Sequence, residues 1–157
     1  MRWTVELGNN IDNLRLAIEN KNIKIGKCAD CLINSSLFLI SKEVKKISLV
    51  TKSVSELGFN EGANFDQICK AANEIGLSKC PMEVGPLLRS IYLNQPIDEW
   101  LVIAMDSIID SEGNPRMFLV GCNRHGRWLV GDFGFSEHIY GKNKKFVFID
   151  ITKTKIL

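Results

Sequence analysis

Residues 80–106 read CPMEVGPLLRSIYLNQPIDEWLVIAMD. Three of the chain's four prolines, Pro81, Pro86 and Pro96, fall in this stretch. Each proline fixes φ, lacks an N–H and pushes the residue before it towards an extended conformation. The backbone is therefore broken at known points. Pro81 and Pro86 bound a loop. Gly85 precedes a short helix with Pro86 at its first position, where a missing N–H costs nothing. Pro96 marks the turn into an apolar strand. Leu87, Leu88 and Ile91 form the buried side of the helix. The stretch lies where a helix-bearing first half hands over to a strand-rich second half, so it is the expected functional surface. It matches no catalytic or ligand-binding motif of known mechanism.

On either side the periodicities are readable. Trp3, Val5 and Leu7 alternate with Arg2, Thr4 and Glu6, the period of a half-buried strand. Asn9 or Asn10 caps a helix with Ile11, Leu14 and Ile18 on one face. A brief helix is expected over residues 27–33. Residues 37–41 and 47–51 read as a pair of strands joined by a lysine-rich turn. Asn64 with Gln67 fits a capping box for a helix over 65–75, which Gly76 ends. Residues 100–106, 117–121, 128–131 and 146–151 are strand candidates, and a meander is the simplest way to connect them. A long loop spans 131–145; loops of that length are often functional. The expected fold is a single α+β domain over residues 1–157, with N-terminal helices packed on a mainly antiparallel C-terminal sheet.

Composition narrows the function. A chain of 157 residues buries roughly 70% of its unfolded surface, so it needs neither metal nor disulfide staples. Twenty basic against 18 acidic residues is too even a balance for a dedicated nucleic-acid domain. No apolar run approaches the roughly 20 residues that span a bilayer, and the N-terminus has no signal-peptide core. The five cysteines follow no disulfide framework. The expectation is a soluble cytoplasmic protein with free thiols, no cofactor, no metal and no membrane partner.

Candidate chemistry is sparse. Cys28 and Cys31 form one C-x-x-C, without the second knuckle that zinc requires and without the βαβ setting of a redox dithiol. Only two histidines are present, His125 in a tight turn and His138 in the long loop. A cleft site with Cys80 as nucleophile, Glu83 as acid/base and His138 as proton carrier is one enzymatic reading, of the hydrolase or transferase kind. Arg89 and Tyr92 stand three apart, so a helix carries them on one face. With Glu83 and Gln95 they form a surface suited to a carboxylate, a phosphate or a partner's backbone. The plainer alternative is a structural Glu83–Arg89 ion pair with Tyr92 covering the core. Trp100 and Trp128 read as core. Phe133, Phe135 and Tyr140, with Arg124, Arg127 and Lys142, offer a weak nucleic-acid groove. Neither G-x-x-x-x-G-K-[ST] nor G-x-G-x-x-G occurs.

The order of short motifs resembles an uncharacterised bacterial protein family of similar length. The matching residues are Glu56-Leu57-Gly58-Phe59, Gly62-Ala63, Gly76-Leu77, Cys80-Pro81, Glu83-Val84-Gly85-Pro86, Leu88-Arg89, Tyr92, Gln95-Pro96, Glu99-Trp100-Leu101, Ala104-Met105-Asp106 and Gly126-Arg127-Trp128-Leu129. The resemblance covers roughly the middle half of the chain and implies no established activity. Family members place a tryptophan and an aspartate where this chain has Cys28 and Cys31. The expectation is a small non-catalytic binding or accessory module acting through Glu83, Arg89, Tyr92 and Gln95. Its partner would be an unidentified protein or a small anionic ligand.

Overall fold

The computed structural model describes residues 1–154. Strand β1 (Arg2–Leu7) follows the alternation, with Val5 and Leu7 buried and Arg2, Thr4 and Glu6 exposed. The Asn10 side chain accepts from the amides of Asp12 and Asn13 and starts α1 (Ile11–Glu19), which buries Leu14 and Ile18. β2 (Lys24–Ile25), α2 (Lys27–Asn34) and β3 (Lys45–Ser53) follow. Asn64 and Gln67 exchange backbone-to-side-chain bonds, both at 2.9 Å, at the start of α3 (Phe65–Glu74). Gly76, at φ 81°, turns the chain out of that helix. The remaining elements are β4 (Leu77–Ser78), α4 (Val84–Ile91), β5 (Trp100–Ile103), β6 (Ile108–Ile109), β7 (Pro115–Asn123), β8 (Gly126–Phe133) and β9 (Lys145–Asp150).

The strands form one mixed sheet in the order β1-β3-β9-β5-β7-β8-β2, with β4 beside β9 and β6 beside β7. β5 runs parallel to β9 and β2 parallel to β8, while the other pairs are antiparallel. This corrects the expected C-terminal meander. β9 does not follow β8 at an edge; it inserts between β3 and β5. The reason lies in its sequence. Phe146, Val147 and Phe148 are buried in succession, so both faces of β9 are covered, which only a central position provides. Nor is the first half a helical layer, since it contributes β1 to β4 to the same sheet. Residues 37–41 do not form the expected strand. Phe38 is buried there, edge-on to Phe118 at 6.1 Å, and Ser41 gives its amide to Glu83 rather than to a ladder.

α4 is the hub. All residues from Val84 to Ser90 are buried, and the helix packs on α1, β1, β7 and β8. β1 begins the strand order and β8 lies near its end, so the sheet must curl around α4 to reach both. The approach to β7 is close: a Cβ on Gly85 would sit 2.8 Å from the Phe118 ring. Helix α4 starts at Val84, so Pro86 occupies its third position rather than its first. The physical argument survives the shift, because no first-turn N–H has an intrahelical partner. No helix among the described residues is long and apolar enough to cross a membrane.

Candidate functional site

Arg89 sits in the last turn of α4 with none of its surface exposed. One terminal nitrogen donates to Gln95 Oε1 at 2.6 Å, to Gly121 O at 2.8 Å and more distantly to Trp128 O at 3.4 Å. The other donates to Tyr92 O, at the helix C-terminus. No carboxylate pairs with Arg89 among the described residues, and its Nε has no hydrogen-bond partner there. Burial, helped by the neighbouring Arg127, lowers its pKa to about 10, so the guanidinium is still charged at neutral pH. Carbonyl dipoles from the helix end and from two strands solvate it in place of water.

The network continues outward. Gln95 Nε2 donates to Val120 O at 3.1 Å and lies 3.3 Å from Glu99 Oε1. The Tyr92 hydroxyl donates to the same carboxylate oxygen at 2.8 Å. Burial and then the Glu99 carboxylate push the Tyr92 hydroxyl pKa well up. The Tyr92 ring packs against Trp3 with centroids 4.9 Å apart.

These positions correct the expected outward face. Glu83 and Arg89 are 0% exposed, Tyr92 5% and Gln95 6%. A helix that is apolar or small on every side is a buried helix: in α4 only Ile91, expected on the buried side, reaches solvent, at 43% exposure, and the arginine does not. The Glu83–Arg89 ion pair does not form either. Glu83 accepts from the amides of Gly8 at 3.0 Å and Ser41 at 2.8 Å. It thereby pins the β1–α1 turn and the loop before β3 to the start of α4. A carboxylate is also well placed at that helix's positive end.

The other candidates are dispersed. Cys80 is buried, its thiol donates to Val147 O at 3.4 Å, and burial pushes its pKa far up. His138 lies on the exposed loop, edge-on to Tyr140 at 4.5 Å. No hydrogen bond joins any two of Cys80, Glu83 and His138 among the described residues. Cys28 and Cys31 are free thiols on α2. Burial raises the Cys28 pKa, the opposite of what a redox nucleophile needs. Among the described residues no three His, Cys, Asp or Glu side chains converge as a metal site would require.

Phe133 and Phe135 are exposed and stacked on each other, with centroids 5.1 Å apart. The cation over Phe133 is Arg116, 3.7 Å from the ring centre, not Arg124 or Arg127. Arg127 spends its terminal nitrogens on Leu93 O and Lys21 O, and Tyr140 is buried. Trp100 and Trp128 are half-buried.

A groove of about 790 Å³ lies between residues 97–100 and 141–145. One wall holds Asp98, Glu99 and Trp100; the other holds Lys142, Asn143, Lys144 and Lys145. Lys145 Nζ lies 3.8 Å from Glu99 Oε2. Lys142 and Lys144 enter no ion pair among the described residues. Their backbone is fixed, because Lys142 O accepts from Ser55 N at 2.9 Å and Lys144 O from Val54 N at 3.0 Å. Across the groove Trp100 lies flat on β7, where a Cβ on Gly121 would fall 1.9 Å from its ring. The buried Arg89–Gln95–Tyr92 network holds Glu99 in place on its wall. The cluster Lys142, Lys144 and Lys145 reads in the sequence as a local excess of positive charge suited to weak contact with phosphate or an acidic partner; what the sequence does not show is that it faces residues 97–100. The available signal was Gly-Lys-Asn-Lys-Lys just before a strand that had to be central.

Compared with known protein families, with curated proteins and with solved structures, the chain finds no match, so the resemblance to a bacterial family rests on its short motifs alone.

Proposed function

We propose that the protein is a non-catalytic binding module whose contact site is the groove between residues 97–100 and 141–145, and that it captures an anionic group there. The observation that carries this reading is a rigid wall bearing the unpaired Lys142 and Lys144, opposite a wall on which Glu99 is already engaged and Asp98 is the one carboxylate without an ion pair among the described residues. Glu99 is engaged by Tyr92, Gln95 and Lys145, which leaves the two outer lysines to attract an incoming anion. The residues first singled out, Arg89, Tyr92 and Gln95, act from beneath by holding Glu99 rather than by touching the ligand. Glu83 contributes only to the scaffold. Five free thiols suit a reducing cytoplasm, and the family resemblance suggests a bacterial one.

The test is a titration of the whole chain with inorganic phosphate and with pyrophosphate, followed by backbone amide shifts. Binding should move the signals of residues 98–100 and 142–145. The Lys142→Glu, Lys144→Glu double variant should lose the response with an unchanged melting temperature. Shifts scattered over the surface, or a response unchanged in the double variant, would refute the assignment.

A further inference from the structure

β1 ends the strand order: it pairs with β3 on one side and with no strand on the other among the described residues. Two bonds fix where its backbone groups point. Thr51 N donates to Met1 O at 3.2 Å, and these two residues continue the register in which Thr4 faces Ser48. Ser48 N instead donates to Thr154 Oγ1, beyond the end of β9. Hydrogen-bonded and non-bonded pairs alternate along an antiparallel ladder. Trp3, Val5 and Leu7 therefore spend their backbone groups on β3. Arg2, Thr4 and Glu6 turn theirs to the open edge, where only Asn9 Nδ2, 3.4 Å from Glu6 O, comes near. A groove of about 350 Å³ borders this strand, with Leu14 and Ala17 of α1 and Leu87 and Ile91 of α4 in its lining.

An edge of this kind recruits another strand. We propose that the occupant is β1 of a second copy of this chain, laid antiparallel across a two-fold axis at Thr4. A pairing that joins open groups to open groups must set Arg2, Thr4 and Glu6 against one another. With the axis at Thr4, the two Thr4 residues meet, and Arg2 of each copy faces Glu6 of the other. Opposite charges then stand directly across from each other at both ends, with a threonine pair between them, and both arrangements stabilise a ladder. Moving the axis to Trp3 or Val5 sets Arg2 or Glu6 against Thr4 and wastes one end of the strand. Placing it at Arg2 or Glu6 brings like charges together. The side chains are free to respond. Glu6 has no cationic partner among the described residues, and Arg2 commits only one terminal nitrogen to Asp150. The contact is isologous, so it closes at two copies.

The experiment is sedimentation equilibrium of the whole chain over a range of concentrations. Wild type should show a reversible monomer–dimer equilibrium. Glu6→Arg sets arginine against arginine at both ends and should weaken the dimer about tenfold or more. Arg2→Glu sets glutamate against glutamate and should do the same. An equimolar mixture of these two variants restores opposite charges at both ends and should form the heterodimer that neither forms alone. Thr4→Pro removes an N–H that faces the open edge, so it should abolish the dimer and leave the melting temperature of the monomer near that of wild type. Should Arg2→Glu melt early through loss of Asp150, Glu6→Arg and Thr4→Pro decide the matter alone. A monomeric wild type overturns the proposal, and so does a dimer indifferent to Glu6→Arg or Thr4→Pro. A monomer that instead pairs with an extended peptide also overturns it, since the edge then serves a foreign strand.

Discussion

Replacing Arg89 tests whether a buried guanidinium ties α4 to the sheet. Arg89→Met keeps much of the side-chain volume and removes every donor. Gln95 Oε1, Gly121 O and Tyr92 O then lose charged partners inside the protein. Each unsatisfied buried acceptor costs about 1–3 kcal/mol. Removing the cation returns part of that, because holding a charge away from water costs several kcal/mol. The net expectation is a destabilisation of about 3 kcal/mol. Arg89→Lys is the sharper perturbation. It keeps the charge but replaces a planar fork with a point donor that cannot span acceptors on β7, β8 and the 92–95 segment. The expected cost is about 3–5 kcal/mol, at least as large as for methionine. The assay is urea unfolding followed by far-UV circular dichroism and by tryptophan fluorescence, comparing midpoints at constant slope. A surface arginine would tolerate lysine well. If Arg89→Lys unfolds within about 0.5 kcal/mol of wild type, the buried-hub reasoning is wrong.

Two further perturbations probe other parts of the same frame. Gly121→Ala puts a methyl group inside the present position of the Trp100 ring; it should cost about 3 kcal/mol and shift the tryptophan emission, and wild-type stability would mean that the ring is not seated there. Asp150 is held below the ordinary carboxylate range, first by the Thr152 hydroxyl and then by Arg2, so its stabilisation is present above about pH 4 and is lost as the pH falls through the lowered folded value. Asp150→Asn should therefore cost about 1 kcal/mol at pH 7 and converge on wild type in acid, and parallel curves down to pH 2 would refute that contribution.

Local signals translated well and long-range ones did not. The capping box at Asn64 and Gln67, the stop at Gly76 and the alternation through Val5 and Leu7 are contained within a few residues, and each appears where chemistry requires it. Arg89 shows the limit. Its spacing from Tyr92 is the same on a wet face or a dry one, and the carbonyls that decide the matter come from Gly121 and Trp128, on strands more than 30 positions away. A clue was present nonetheless: Val84, Leu87, Leu88 and Ile91, with Gly85 and Ser90 between them, leave α4 no polar side. The central placement of β9 was likewise written in Phe146-Val147-Phe148, but economy of connection favoured a meander. The groove joins segments more than 40 residues apart, and no local pattern announces such a meeting.

Burying β9 in mid-sheet has a price in time. During synthesis β3 and β5 leave the ribosome before the strand that separates them, so the flank that each gives to β9 stays open until residues 145–150 arrive. Until then the nascent chain must keep two sticky borders and an apolar helix out of trouble, and productive closure comes through contacts distant along the chain. Such a protein should lean on chaperones while it is being made and should not survive loss of residues 145–150.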